Sequence, residues 1–253
     1  MGALQLDDKV ILITGALGAA GSEAIKLFLE RGALVAACDI RPVSDFAELD
    51  SLTEKYGSGR LMFVQGDMRN EADVREAVAA IDQTFGRLNG TYHNAYVNKV
   101  ALIAEQSLED WEDCIRGCLT STFLVMKYSA ALMIRSGGGS IVSTSSVLGG
   151  NILRSGNAGY GAGKAGLEQL TRIAALEYAP YGIRANAVVP GDFKSDEVLA
   201  AISQAHLDTM SKISMLGRSG RANEINEVAA FLLSDAASYV TGSMYPVTGG
   251  IMS

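Results

Sequence analysis

The chain predicts a single α/β domain, residues 1–253, doubly wound about a central parallel sheet of about seven strands with helices on both faces. Short β-branched or aliphatic runs alternate with longer helical patterns almost from end to end, which is the signature of βαβ units. Those runs are near-continuously apolar, as strands covered on both faces are. A glycine turn joins the first strand to the first helix. Composition agrees, since 48% hydrophobic residues and 28 glycines suit a well-buried core with many tight turns. A length of 253 residues is common for one α/β unit.

In order, "KVILITG" reads as a strand and "AGSEAIKLFLERG" as an amphipathic helix closed by Gly32. "ALVAACD" and "RLMFVQGD" are the next strands, each ending in an aspartate, with the helical pattern "DFAELDSLTEKYG" between them. "NEADVREAVAAIDQTFG" is a helix and "LNGTYHNA" a fourth strand. A long helix over about 107–135, the strand "GSIVSTSS", a second long helix over about 159–181 and the strand "IRANAVV" follow. Residues 191–222 break the pattern, and a segment this long between core elements is a lid or binding loop with its own short helices.

Lys plus Arg 21 against Asp plus Glu 28 gives a net charge of −7, which argues against nucleic acid or an anionic membrane as partner. No apolar run approaches a membrane span, and "MGALQLDDKV" lacks the pattern of a signal peptide. Cys38, Cys114 and Cys118 are odd in number and not spaced like a disulfide framework. They fit the reduced thiols of a cytoplasm, the expected location.

The turn "ITGALGAAGSE" spaces Gly15, Gly18 and Gly21 so that backbone amides at a helix N-terminus face an anion, with Leu17 and Ala20 in the same turn. Asp39 ends the next strand about twenty residues on, where a carboxylate accepts both hydroxyls of an adenine ribose and repels a 2′-phosphate. Ile40 follows instead of a basic residue, which favours NAD over NADP, with Arg41 leaving NADP as the lesser alternative. Asp67, followed by Met68, either bonds an adenine amino group or caps the helix after it. Asn94 and Ala95 close the fourth strand beside the cofactor's ribose. His93 reads as a satisfied strand histidine, with no acid or nucleophile before it.

"YGAGK" is the sharpest signal. Tyr160 and Lys164, four apart at a helix start, share one face. A phenol is a poor acid–base catalyst near neutrality, and an adjacent ammonium favours its phenolate. Ser146 ends a strand fourteen residues upstream, at the edge where α/β sheets bind ligands.

With "TGALGAAG", "GDM", "HNA", "SIVSTSS", "YGAGK", "NAVVPG" and "AAFLLSDAASYVTGSMYPVTGG" in this order, the chain resembles the short-chain dehydrogenase/reductase family nearly end to end. The resemblance implies a Rossmann-type sheet of order 3-2-1-4-5-6-7. It implies that Tyr160 exchanges a proton with the substrate oxygen, Lys164 holds the nicotinamide ribose, and Ser146 bonds the substrate carbonyl or alcohol. It also places Pro190, Gly191, Phe193 and Ser195 by the nicotinamide, and implies homotetramers or dimers built through the two long helices.

Several positions depart from the family pattern. The turn reads T-G-x-x-G-x-x-G, with Ala19 at the usual middle glycine. "HNAY" brings Tyr96 toward the pocket, one extra residue lies between Ser146 and Tyr160, and Thr248 replaces a common aspartate. Cys118 falls where the family has a catalytic asparagine that holds a water, and a thiol lacks the amide's paired groups. Thr120 and Ser121 are the nearby hydroxyls able to replace it. Cys114 reads as packing. No metal site is expected, because two cysteines are too few and neither His93 nor His206 is spaced to join them.

The expected substrate wall is Tyr96, Val147, Leu148, Ile152, Leu153, Phe193, Leu207, Met210 and Met215, apolar enough for an alicyclic or other hydrophobic alcohol or ketone. Arg154 is expected to face solvent. The expected activity is NAD-dependent interconversion of a secondary alcohol and a ketone. The alternatives are a non-catalytic dinucleotide sensor or scaffold, or a reductase of an activated C=C or C=N bond.

Overall fold

The computed structural model describes residues 5–150 and 152–251. The chain runs β1 (Val10–Thr14), α1 (Ala19–Glu30), β2 (Leu34–Asp39), α2 (Leu49–Tyr56), β3 (Leu61–Gln65), α3 (Glu71–Phe85) and β4 (Gly90–His93). After a loop, α4 (Leu108–Ile115) continues through a π-helical turn, Arg116–Thr120, into α5 (Ser121–Arg135). β5 (Gly139–Thr144), α6 (Ala158–Tyr178) and β6 (Ile183–Pro190) follow. The irregular segment carries α7 (Asp196–Ala200) and α8 (Gln204–Ile213), before α9 (Ala222–Leu233) and β7 (Met244–Val247).

All seven strands pair in parallel in the order 3-2-1-4-5-6-7, as the resemblance implies. A separate two-residue ladder, Phe193–Lys194 with Gly220–Arg221, ties the two ends of the irregular segment together.

Every side chain of β1 is buried, and its alternation decides the layers. Ile11 and Ile13 join Ile25, Phe28, Ile225 and Leu232 on the α1/α9 side. Val10 and Leu12 join Ile81, Leu124, Met133 and Ile141 on the α3/α5 side. Each such side chain contributes about 1.5–3 kcal/mol by leaving water, which is why no polar face interrupts the strand.

The stretch Leu108–Arg135, 28 residues long, is apolar enough to cross a membrane by length and composition, contrary to expectation. Most of its apolar window is buried inside the protein, so it is a core helix whose hydrophobicity serves the sheet. Its π turn coincides with a close crossing. A Cβ on Gly117 would lie 2.5 Å from the Val97 side chain, so the loop after β4 crosses the helix only where a glycine stands. Hydroxyls then serve the displaced carbonyls: Ser121 Oγ donates to Gly117 O and Thr122 Oγ1 to Cys118 O, both at 2.7 Å.

Helix α6 lies against this turn through two glycines. A Cβ on Gly159 would sit 2.9 Å from Cys114 Cβ, and one on Gly163 would sit 2.7 Å from Cys118 Cβ. The cysteine pair is therefore the surface on which the helix carrying Tyr160 and Lys164 rests, which gives Cys114 the packing role expected of it.

Candidate active site

The C-terminal ends of β1, β2, β4, β5 and β6 open into two adjoining cavities. One is lined by Gly15, Gly18, Asp39, Ile40, Arg41, Gly66, Asp67, Met68, Arg69, Asn94, Ala95, Tyr96, Val97, Gly117 and Ser121. The other is lined by Gly15, Gly18, Ala20, Gly21, Asn94, Tyr96, Thr144, Ser145, Ser146, Tyr160, Lys164, Pro190, Gly191 and Phe193. Gly15, Gly18, Asn94 and Tyr96 line both.

The glycine turn has the shape of a cradle. Gly15 adopts φ +61°, and a Cβ there would meet Ala95 N at 2.9 Å; one on Gly21 would meet Gly15 O at 2.2 Å. The missing side chains leave backbone where a phosphate would approach. Asp39 is buried, its Oδ2 accepting from Leu17 N at 2.9 Å and its Oδ1 from Arg41 N at 3.1 Å. Arg41 folds back on the same carboxylate, with Nε 3.4 Å from Oδ1. A carboxylate so held, beside a glycine cradle, fits the ribose and pyrophosphate of a dinucleotide.

Asp67 lines the first cavity and does not cap the helix that follows. Its carboxylate is engaged by Arg69, whose Nη2 lies 2.8 Å from Oδ2 and whose backbone N–H donates to Oδ1. Burial opposes its charge, but these bonds hold its carboxyl below the usual carboxylate range. The cap of α3 is Asn70, which accepts from Ala72 N, so Asp67 does not cap it. Arg69 also reaches Asp113 at 3.2 Å, a residue forty-odd positions away that no local pattern links to it.

Lys164 is 1% exposed. Its Nζ donates to Thr144 O at 2.6 Å and lies 5.6 Å from the Tyr160 ring centroid and 5.7 Å from that of Tyr96. Burial lowers its pKa. Burial likewise raises the Tyr160 phenol, with a hydrogen bond from Ser146 working the other way. The phenol is thus raised, where the Tyr160–Lys164 spacing predicts a lowering. Ser146 also accepts from Leu148 N at 3.2 Å, starting the turn that carries the chain outward after β5.

That turn corrects part of the expected substrate wall. Leu148, Ile152 and Leu153, with Arg154, line a groove with Leu102, Ile103 and Gly161, distinct from the cavity that holds Tyr160. Leu153 is 99% exposed. Of the residues in the irregular segment, Met210 is buried, Leu207 and Met215 are exposed, and Ser195 caps α7 through a bond from Val198 N. Val147 lies in the short turn itself.

His93 is satisfied on both nitrogens, Nδ1 2.7 Å from Thr14 Oγ1 and Nε2 3.2 Å from Ser121 Oγ. Burial and the nearby Lys164 charge push its pKa down to about 3, so it is a neutral strand histidine. Cys118 donates its thiol to Val97 O at 3.3 Å, and burial raises its pKa, so it is a thiol and not a thiolate. Among the described residues no group of three or more His, Cys, Asp or Glu is placed to hold a metal ion.

A family model described as enoyl-(acyl carrier protein) reductase matches residues 15–252. The chain is 36% identical over 250 residues to a cyclohexanol dehydrogenase of Acinetobacter sp. strain SE19, covering 98% of this chain and 97% of that protein. It is 36% identical over 254 residues to a 3-oxoacyl-[acyl-carrier-protein] reductase of Thermotoga maritima, covering 98% and 100%. A short-chain type dehydrogenase/reductase from Mycobacterium ulcerans superposes with a TM-score of 0.89 at 31% identity, over 97% of this chain and 90% of that one.

Proposed function

The chain belongs to the short-chain dehydrogenase/reductase family, and on that premise we propose that it interconverts a secondary alcohol and a ketone with NAD. The observation that carries this reading is the convergence of Ser146, Tyr160 and Lys164 in one cavity beside the glycine cradle. The family generally uses NAD(H) or NADP(H). The buried Asp39, with Arg41 turned back onto it, favours NAD, because a 2′-phosphate would meet the carboxylate first. A dinucleotide with its pyrophosphate in the cradle would supply, through its nicotinamide, the hydride acceptor or donor.

Gly15, Gly18 and Gly21 take the pyrophosphate with Leu17 and Ala20. Asp39 and Ile40 take the adenosine ribose, Asp67 and Met68 the adenine, and Asn94 and Ala95 the groove between. Pro190, Gly191, Phe193 and Ser195 border the nicotinamide, and Lys164 its ribose. Ser146 orients the substrate oxygen, and Tyr160 Oη removes the hydroxyl proton during oxidation or returns it during reduction. The relative acting on cyclohexanol, with the apolar Tyr96 and Phe193 at the cavity, supports an alicyclic substrate. The description of the matched family supports a second reading, reduction of an activated C=C bond.

Exposed Leu108, Trp111, Phe123, Ile173 and Leu176 on α4, α5 and α6 support association through the two long helices as a homotetramer or dimer. Three cysteines without a disulfide support a cytoplasmic location.

A panel of cyclic and acyclic secondary alcohols with NAD and NADP, followed by nicotinamide absorbance, tests the reading, with an enoyl thioester and NADH as the competing substrate. Tyr160→Phe should lower turnover by about 10²–10⁴-fold while leaving NAD binding in place. Undiminished turnover in that variant would remove the proposed acid–base role.

A further inference from the structure

Among the described residues no carboxylate pairs with the Lys164 ammonium, which lies in the protein interior. Its Nζ bonds one carbonyl, Thr144 O, and lies 5.6 Å from the ring centroid of Tyr160 and 5.7 Å from that of Tyr96. The other titratable groups whose charges act on it or are acted on by it are the Cys118 thiol from the π turn and the His93 imidazole from β4. Neither offers a negative charge near neutrality: the thiol is raised by burial and the imidazole is neutral. Glu168, one turn further along α6, is engaged by Ser145 Oγ at 2.8 Å. A buried cation with so little compensation favours losing its proton.

Tyr96 is the residue placed to offset this. It stands in the loop after β4, its ring edge-to-face with Tyr160 at 5.8 Å and 69°. Its loop is held from beneath by the Cys118 thiol bonded to the carbonyl of the next residue, Val97. The two rings make an aromatic cage within the roughly 6 Å over which a ring quadrupole attracts an ammonium.

We propose that Tyr96 is a positioning residue that supplies the second face of this cage, keeps Lys164 charged, and through Lys164 sets the ease with which Tyr160 ionises. The inference rests on the proposed function for its view of Tyr160 and Lys164 as the proton-handling pair. It does not rest on the substrate or on the phenolic hydroxyl of Tyr96.

The test uses the free protein carrying [13Cε]lysine, with the Lys164 resonance identified by its loss in Lys164→Arg, titrated by NMR. In Tyr96→Leu the Lys164 midpoint should fall by about half a pH unit, the shift expected from losing one ring face on a residue that stays 61% exposed. In Tyr96→Phe, which keeps the face, it should stay with the wild type. Tyr96→Trp, with the stronger face, should raise it, and this variant carries the test if the leucine variant does not fold. A midpoint unmoved in Tyr96→Leu, moved equally in Tyr96→Phe, or not raised in Tyr96→Trp overturns the proposal.

Where alcohol oxidation is measurable, the rising limb of kcat/KM should lie at higher pH in Tyr96→Leu than in wild type or Tyr96→Phe. The less charged lysine no longer favours the phenolate. Because the titration needs neither substrate nor cofactor, an absence of turnover on every alcohol would count against the proposed function alone.

Discussion

The helix pair beneath the cavity and the irregular segment beside it both hold clusters of polar groups, but by different means. Beneath, α6 presses glycine onto cysteine against the π turn, and the ammonium of Lys164 is positioned by backbone and ring faces with almost no water contact. In the irregular segment 191–222, Asp192 is the hub. It accepts from Lys194 Nζ at 2.5 Å and Ser219 Oγ at 2.5 Å, with His206 Nε2 at 3.1 Å, and its side chain keeps about a quarter of its exposure. Around it Val198, Met215 and Leu216 stay exposed. The first cluster depends on shape and excludes any added volume. The second depends on exchangeable polar bonds close to solvent, the kind that open locally at low cost.

The sharpest way to break this contrast is Gly163→Ala. Its methyl would lie 2.7 Å from Cys118 Cβ, so α6 must shift. We expect a loss of about 1–3 kcal/mol in urea unfolding together with loss of turnover. An unchanged midpoint would mean that the interface is looser than its geometry.

Asp192→Asn should act more mildly and elsewhere. Global stability should change by less than about 1.5 kcal/mol, while proteolysis between residues 191 and 222 should quicken several-fold and KM should rise more than kcat falls. The pH dependence has a definite sign. Burial opposes the Asp192 charge, but bonds from Lys194, Ser219 and His206 hold its carboxyl below the usual range. Its contribution is therefore complete above the ordinary carboxylate pKa and is lost as pH falls through the lower folded value. Wild-type protection of this segment should weaken only in acid, and that acid step should be missing from Asp192→Asn.

The smallest effect is expected at Arg218, which pairs with Glu224 at 2.7 Å on an exposed face of the same region. Arg218→Ala should cost less than about 1 kcal/mol and leave the proteolysis pattern alone. A large effect there would move part of the segment's anchoring to its rim.

The sequence by itself determined the features that local spacing encodes. Apolar runs marked the strands, the glycine turn marked the cradle, four-residue spacing put Tyr160 and Lys164 on one face, and a loss of periodicity marked the irregular segment with its short helices. His93 lacked a partner pattern, and its two hydroxyl contacts agree with that reading. Tertiary structure alone decided what faces what. It turned Leu148, Ile152 and Leu153 into a separate groove and gave Asp67 to Arg69. It set Cys114 and Cys118 against two glycines of α6, and brought the Thr144 carbonyl and the Tyr96 ring to Lys164. Each of these contacts joins elements distant in the chain or fixes a direction within an irregular loop. Periodicity reports which face of a helix or strand is apolar, and it is silent about the partner brought there by folding.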